Sequence, residues 1–116
     1  MKKIILITLA ISLYSTAFSQ QTVSVDSLSK YIGDTVTVCS KVYSVKVLDK
    51  LTFINVGARY PGSPLTLVIF KNDFPKFKGT VESMFADKNI CVTDLLQLYK
   101  EKTEIIIKDP AQIVIQ

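Results

Sequence analysis

Thr35-Val36-Thr37-Val38-Cys39-Ser40-Lys41-Val42 is the stretch on which the fold turns. Its residues alternate with period two and are rich in β-branched side chains, the pattern of a half-buried strand. Val36, Val38 and Val42 share one face, and Cys39 and Lys41 share the other. Past Tyr43-Ser44 the apolar positions move to Val45 and Val47. A one-residue change of phase inside a long strand predicts a β-bulge, because the side-chain period admits no other slip. A first strand bent in this way suits a sheet that curls into a small barrel.

The flanking segments extend the pattern. Upstream, Asp26 is placed to cap a short helix whose Leu28, Tyr31 and Ile32 share a face, and Gly33 stands where a left-handed residue ends it. Gln20 to Ser24 reads as a loose lead-in. Downstream, Asp49-Lys50 makes a turn and Leu51 to Val56 a second strand. The stretch from Gly57 to Pro64, with two glycines and two prolines, is a loop. Leu65 to Phe70 is apolar almost throughout and reads as a central third strand. Phe74, Phe77, Val81 and Met84 then recur at helical steps between Asn72 and Lys88, with Pro75 and Gly79 breaking that helix into pieces. Asn89 to Tyr99 returns to strand, Lys100-Glu101-Lys102 is a tight polar turn, and Thr103 to Ile107 is a fifth strand stopped by Asp109-Pro110. Gln112 to Ile115 adds a short edge segment. Three strands, a helical segment and two strands is the element order of an all-β OB-fold, a five-stranded Greek-key barrel. Another small β-barrel or an α+β roll is the structural alternative.

The first residues stand apart from this domain. Lys2 and Lys3 precede an apolar run from Ile4 to Tyr14, and Ala17-Phe18-Ser19 offers the small residues that a signal peptidase reads. Residues 1–19 are therefore expected to be a signal peptide and residues 20–116 the domain, in the periplasm or secreted. A membrane anchor or a buried helix is the competing reading, although the run falls short of the roughly 20 apolar residues that a span needs. The cleavage point carries no Cys, so a lipid anchor is not expected, and no membrane span is expected after leader removal. Downstream of the leader, twelve Lys and Arg face ten Asp and Glu, a net charge of +2. That weak balance does not by itself indicate nucleic acid. Cys39 and Cys91 would mature where thiols oxidise, so one bridge or two buried thiols are both open.

Several phrases also carry a family resemblance. Tyr31-Ile32-Gly33-Asp34-Thr35-Val36-Thr37-Val38-Cys39, Thr52-Phe53-Ile54-Asn55-Val56-Gly57, Tyr60-Pro61-Gly62 and Ile90-Cys91-Val92-Thr93 with Tyr99-Lys100 resemble small OB-fold domains of exported bacterial proteins, some of them beside secreted nuclease domains. The closing Glu104-Ile105-Ile106-Ile107-Lys108-Asp109-Pro110-Ala111-Gln112-Ile113 resembles the last strand of nucleic-acid-binding (tRNA-anticodon-binding-like) OB domains. Ser40, Asp94 and Glu101 depart from it, standing where glycines would be expected and implying altered curvature or turn geometry there. The resemblance also implies that Cys39 and Cys91 lie on antiparallel neighbours, where a bridge is feasible.

The chain has no histidine, which excludes Ser-His and Cys-His nucleophile pairs and the commonest transition-metal ligand. Two Cys on separate strands do not make a zinc site. Glu101 and Glu104 beside one turn, and Asp34, Asp49, Asp87 and Asp109 at element ends, read as solvated turn residues. No enzyme, no cofactor and no metal is expected. An OB scaffold instead offers a face made of its second and third strands. Candidates for stacking on it are Tyr43, Phe53, Tyr60 and Tyr99, with Lys46, Lys50, Arg59, Lys71, Lys100 and Lys102 as charge partners. Against this, Phe53 alternates like a core residue, Tyr99 could cover a barrel end, and Lys100 and Lys102 could be a solvated turn. Arg59 beside Tyr60 has no evident core role. The resulting expectation is a binder of single-stranded nucleic acid or oligonucleotides, with an envelope protein- or glycan-interaction module as the alternative. Convergence of the cations on one face favours the first, and scattered charges around an apolar face favour the second.

Overall fold

Strand β2 (Thr35–Val47) organises the molecule, because its two halves belong to different partners. The computed structural model describes residues 21–116. The expected leader, residues 1–19, and Gln20 lie outside the described residues. The first half of β2 pairs antiparallel with β5 (Asn89–Leu95), from Thr35 opposite Leu95 to Lys41 opposite Asn89. Its second half pairs antiparallel with β3 (Leu51–Val56). The register slips between Val42 and Ser44, which leaves Tyr43 as the bulged residue and places the phase shift where the sequence has it.

β3 pairs with β4 (Leu65–Phe70), and β4 pairs in parallel with β7 (Lys102–Ile106). β6 (Gln97–Tyr99) forms a hairpin with β7. Two short strands complete the sheet: β1 (Gln21–Val23) runs parallel to β2, and β8 (Ile113–Ile115) pairs with β5. The mixed sheet has eight strands in the order β6-β7-β4-β3-β2-β5-β8, with β1 on β2. The five strands read from the sequence are all present. The additions are β1 and the division of the fourth strand at Leu96, whose side chain is wholly buried, while β8 is the short edge segment expected from Gln112 to Ile115.

Two local expectations are corrected. Gln21 to Val23 is not a loose lead-in, since it pairs with Val36 to Val38 and buries Val23. Ser24, not Asp26, caps the 3-10 segment Val25–Tyr31, its hydroxyl accepting from the Asp26 backbone N–H. Gly33 closes that segment at φ +94°, as the glycine predicts. Between β4 and β5, the 3-10 turn Lys71–Lys76 holds Pro75, and the short helix α1 (Val81–Phe85) begins at the Thr80 cap. Gly57 has φ +89°, and a Cβ there would sit 2.6 Å from Pro64 Cγ, so the β3–β4 loop requires glycine.

The core follows the alternation. Val36, Val38 and Val42 meet Ile54, Val56, Leu65, Leu67, Ile69, Ile90, Val92, Ile105 and Ile107, all at most 1% exposed. α1 adds Val81 and Phe85, and Phe77 packs edge-on against Phe85 at 6.2 Å between ring centroids. On the outer face of β2, Cys39 stands directly opposite Cys91 of β5 and the two form a disulfide. Among the described residues no helix is long and apolar enough to cross a membrane.

Candidate functional site

Each core strand carries a second face, and on one side of the sheet these faces line a groove of about 810 Å³. Period two puts Leu51, Phe53 and Asn55 of β3 into it, then Thr66, Val68 and Phe70 of β4, and Lys102, Glu104 and Ile106 of β7. Strand register sorts these side chains into rows that cross the sheet, with neighbouring rows about 6.7 Å apart. One row is apolar and aromatic: Lys46 lies opposite Phe53, Phe53 opposite Val68, and Val68 beside Ile106. The next row is polar: Ser44 lies opposite Asn55, Asn55 opposite Thr66, Thr66 beside Glu104, and Glu104 opposite Gln97. A third row pairs Tyr99 with Lys102 at the β6–β7 hairpin.

Hydrogen bonds give the polar row a direction. Asn55 Nδ2 donates to Ser44 Oγ at 3.0 Å. Asn55 Oδ1 accepts from Thr66 Oγ1 at 3.0 Å and from Ser63 Oγ at 3.2 Å. The hydroxyl proton of Thr66 is thereby committed away from Glu104. Glu104 is only 9% exposed, and among the described residues no side chain donates to it or pairs with it. Among the described residues no fully buried side-chain polar atom lacks a partner, so the carboxylate oxygens reach the groove. Burial raises the pKa of Glu104 above its ordinary value.

The rim is aromatic and cationic. Lys102 Nζ lies 4.6 Å from the centroid of the Tyr60 ring, and Lys100 Nζ lies 5.4 Å from that of Tyr99. Tyr60 and Tyr99 are well exposed at 63% and 55%. Lys100 and Glu101 both have positive φ, 52° and 69°, the backbone of a tight two-residue hairpin turn. Of the three expected glycine positions, only Glu101 is left-handed; Ser40 and Asp94 sit in regular ladders of β2 and β5.

The groove brings together Lys46, Tyr60, Tyr99, Lys100 and Lys102 from the sequence candidates. Tyr43, Lys50 and Arg59 do not line it. Tyr43 stands on the bulge under Lys41 Nζ, 5.1 Å from its ring centroid. Lys50 lies in the β2–β3 turn, its carbonyl accepting from the Lys71 N–H at 3.0 Å, and Arg59 is exposed in the β3–β4 loop beside Tyr60. Phe53 is half-buried in the groove wall, outside the main core cluster. Glu104 is not a solvated turn residue: pairing on both sides holds it on the groove floor. The signal for it was present, because Lys102, Glu104 and Ile106 alternate with Thr103, Ile105 and Ile107. Among the described residues no cluster of acidic residues or cysteines could hold a metal ion.

Neither a protein-family model nor a curated protein matches the sequence. Solved structures resemble the fold. An OBody bound to hen egg-white lysozyme is 14% identical with a TM-score of 0.61, over 87% of this chain and 98% of that one. The Stn1-ten1 complex of S. pombe gives 17% identity and a TM-score of 0.54, over 76% of this chain and 67% of that one. Asparaginyl-tRNA synthetase from Pyrococcus horikoshii gives 14% identity and a TM-score of 0.52, over 80% of this chain and 22% of the synthetase. These likenesses place the chain among OB-fold-like structures.

Proposed function

We propose that this protein is an exported, non-enzymatic binding module that takes single-stranded nucleic acid along the groove. In this reading the sheet is a five-stranded OB-type barrel, closed where β5 continues through Leu96 into β6 and so into the hairpin with β7. The Cys39–Cys91 bridge supports an oxidising compartment such as the periplasm. The observation that carries the binding reading is the meeting of Phe53, Tyr60 and Tyr99 with Lys46, Lys100 and Lys102 along one concave face.

The energetics favour exchange at the rim. An exposed lysine over a tyrosine gains about 0.5–1 kcal/mol, whereas a base stacked on an aromatic ring gains about 1–3 kcal/mol. A base that displaces Lys102 from Tyr60 therefore gains stacking and releases an ammonium group to meet a phosphate. One structural neighbour, a tRNA synthetase, acts on tRNA by its name. A protein partner is the second reading, and the apolar row Phe53, Val68 and Ile106 favours it, as does the neighbour bound to lysozyme.

The test is fluorescence anisotropy of labelled deoxythymidine and uridine oligomers titrated with purified protein at about 50 mM salt. Saturable binding is expected, and Phe53→Ala and Tyr60→Ala should each weaken it by about tenfold. Absence of binding at low salt overturns the nucleic-acid reading and turns the search to envelope proteins and glycans.

A further inference from the structure

The groove floor is asymmetric in a way that stacking and phosphate contacts leave unused. The protons fixed along the polar row, from Thr66 to Asn55 and from Asn55 to Ser44, run toward the Ser44 end, and Ser63 of the β3–β4 loop also donates to Asn55 Oδ1. At the other end Glu104 presents a carboxylate, an acceptor at both oxygens, to which no side chain among the described residues donates. The Glu104 residue is only 9% exposed while its oxygens open on the groove, so its carboxylate is poorly solvated, and a ligand that brings donors to it recovers part of that cost.

We infer that Glu104 selects the base bound in the groove, accepting from the N1–H and the exocyclic N2–H of guanine. The inference rests on the nucleic-acid reading above. Guanine alone among the common bases presents two adjacent donors on its pairing edge, which a carboxylate accepts side by side. Adenine and cytosine set a ring nitrogen lone pair beside their amino group, and thymine and uracil flank one N–H with two carbonyls, so each faces the carboxylate with a repelling acceptor. Unpaired bases expose these edges for reading. The placement also suits a purine: Phe53 and Val68 lie one row from Thr66 and Glu104, so a ring stacked on the apolar row extends its edge toward the carboxylate. Lys102, two residues away on the same face of β7, offsets the charge that Glu104 would otherwise set against a phosphate backbone.

The experiment uses labelled deoxythymidine oligomers carrying one central deoxyguanosine, one central deoxyinosine, or neither, titrated against wild type and Glu104→Gln. Inosine keeps N1–H but lacks the amino group. Wild type is expected to bind the guanosine oligomer about tenfold tighter than the all-thymidine one, with inosine between them. Glu104→Gln exchanges one acceptor for a donor, and it should bring all three within about threefold of each other while still binding thymidine. Equal wild-type affinity for the three oligomers overturns this inference and leaves the groove reading intact. Failure to bind any oligomer removes the groove reading itself. The wild-type comparison does not depend on how the variant folds.

Discussion

Glu104 lowers the stability of the fold whenever its carboxyl is ionised. Burial raises its pKa in the folded protein, so the native state holds this proton more tightly than the unfolded chain does. The stability associated with that proton is fully present below the ordinary glutamate value, about 4.3. It is lost as pH rises through the raised folded value. Charged neighbours do not reverse the sign: β4 offers Thr66 and β6 offers Gln97 beside it, and Lys102 is the nearest cation on its own strand face. Glu104→Gln keeps the shape and removes the titration. Urea unfolding of the two proteins between about pH 4 and pH 7 should show the glutamine variant gaining on wild type as pH rises, then levelling. A difference that stays flat across that range would mean that the folded protein solvates the carboxyl as well as water does. The alternation around Glu104 is plain in the sequence. What hid its role was proximity to the Lys100-Glu101 turn, because adjacency along a strand does not tell which face a partner strand will cover.

β2 shows how far an element can be read before its partners are known. Its alternation, its bulge and its buried valines follow from residues 35–47 alone, because a phase shift has one geometric meaning. The strand β1 was not legible, since three residues with one buried valine carry no period; only pairing with Val36 to Val38 defines it. The bridge was open for a similar reason, as it depends on Cys39 and Cys91 falling in one register position across β2 and β5. Beside it Thr37 and Thr93 hydrogen-bond through their hydroxyls at 2.7 Å, so two cross-strand contacts tie the same ladder. The bridge spans 52 residues of chain. Closing a loop of that length in the unfolded chain stabilises the fold by about 4 kcal/mol in the chain-entropy treatment. Reduction, or the double substitution Cys39→Ser and Cys91→Ser, should therefore lower the unfolding free energy by that order. Urea unfolding with and without reductant measures it. Coincident transitions would show that the unfolded chain is already constrained without the bridge.

Across the whole molecule the cations matter by position more than by number. From Gln21 onward the chain carries a net charge of only +2, too little to steer a polyanion by total charge. Lys46, Lys100 and Lys102 nevertheless border one groove, because β2, β3, β4 and β7 are consecutive in the sheet. Sequence alone named these lysines and could not gather them: the parallel β4–β7 pairing joins segments on either side of α1 and β5. The same register leaves Lys50 and Arg59 outside the groove, although they look equivalent as residues. This sets a quantitative expectation for binding. Each phosphate neutralised on a single strand contributes about −0.7 to the slope of log affinity against log salt. Three groove lysines therefore predict a slope near −2 for oligonucleotide binding, measured by anisotropy across a salt series. Replacing all three with Gln should flatten the slope toward zero, and Arg59→Gln should leave it unchanged. A slope that stays steep in the triple variant, or that drops with Arg59→Gln, would move the phosphate track from the groove to the β3–β4 loop.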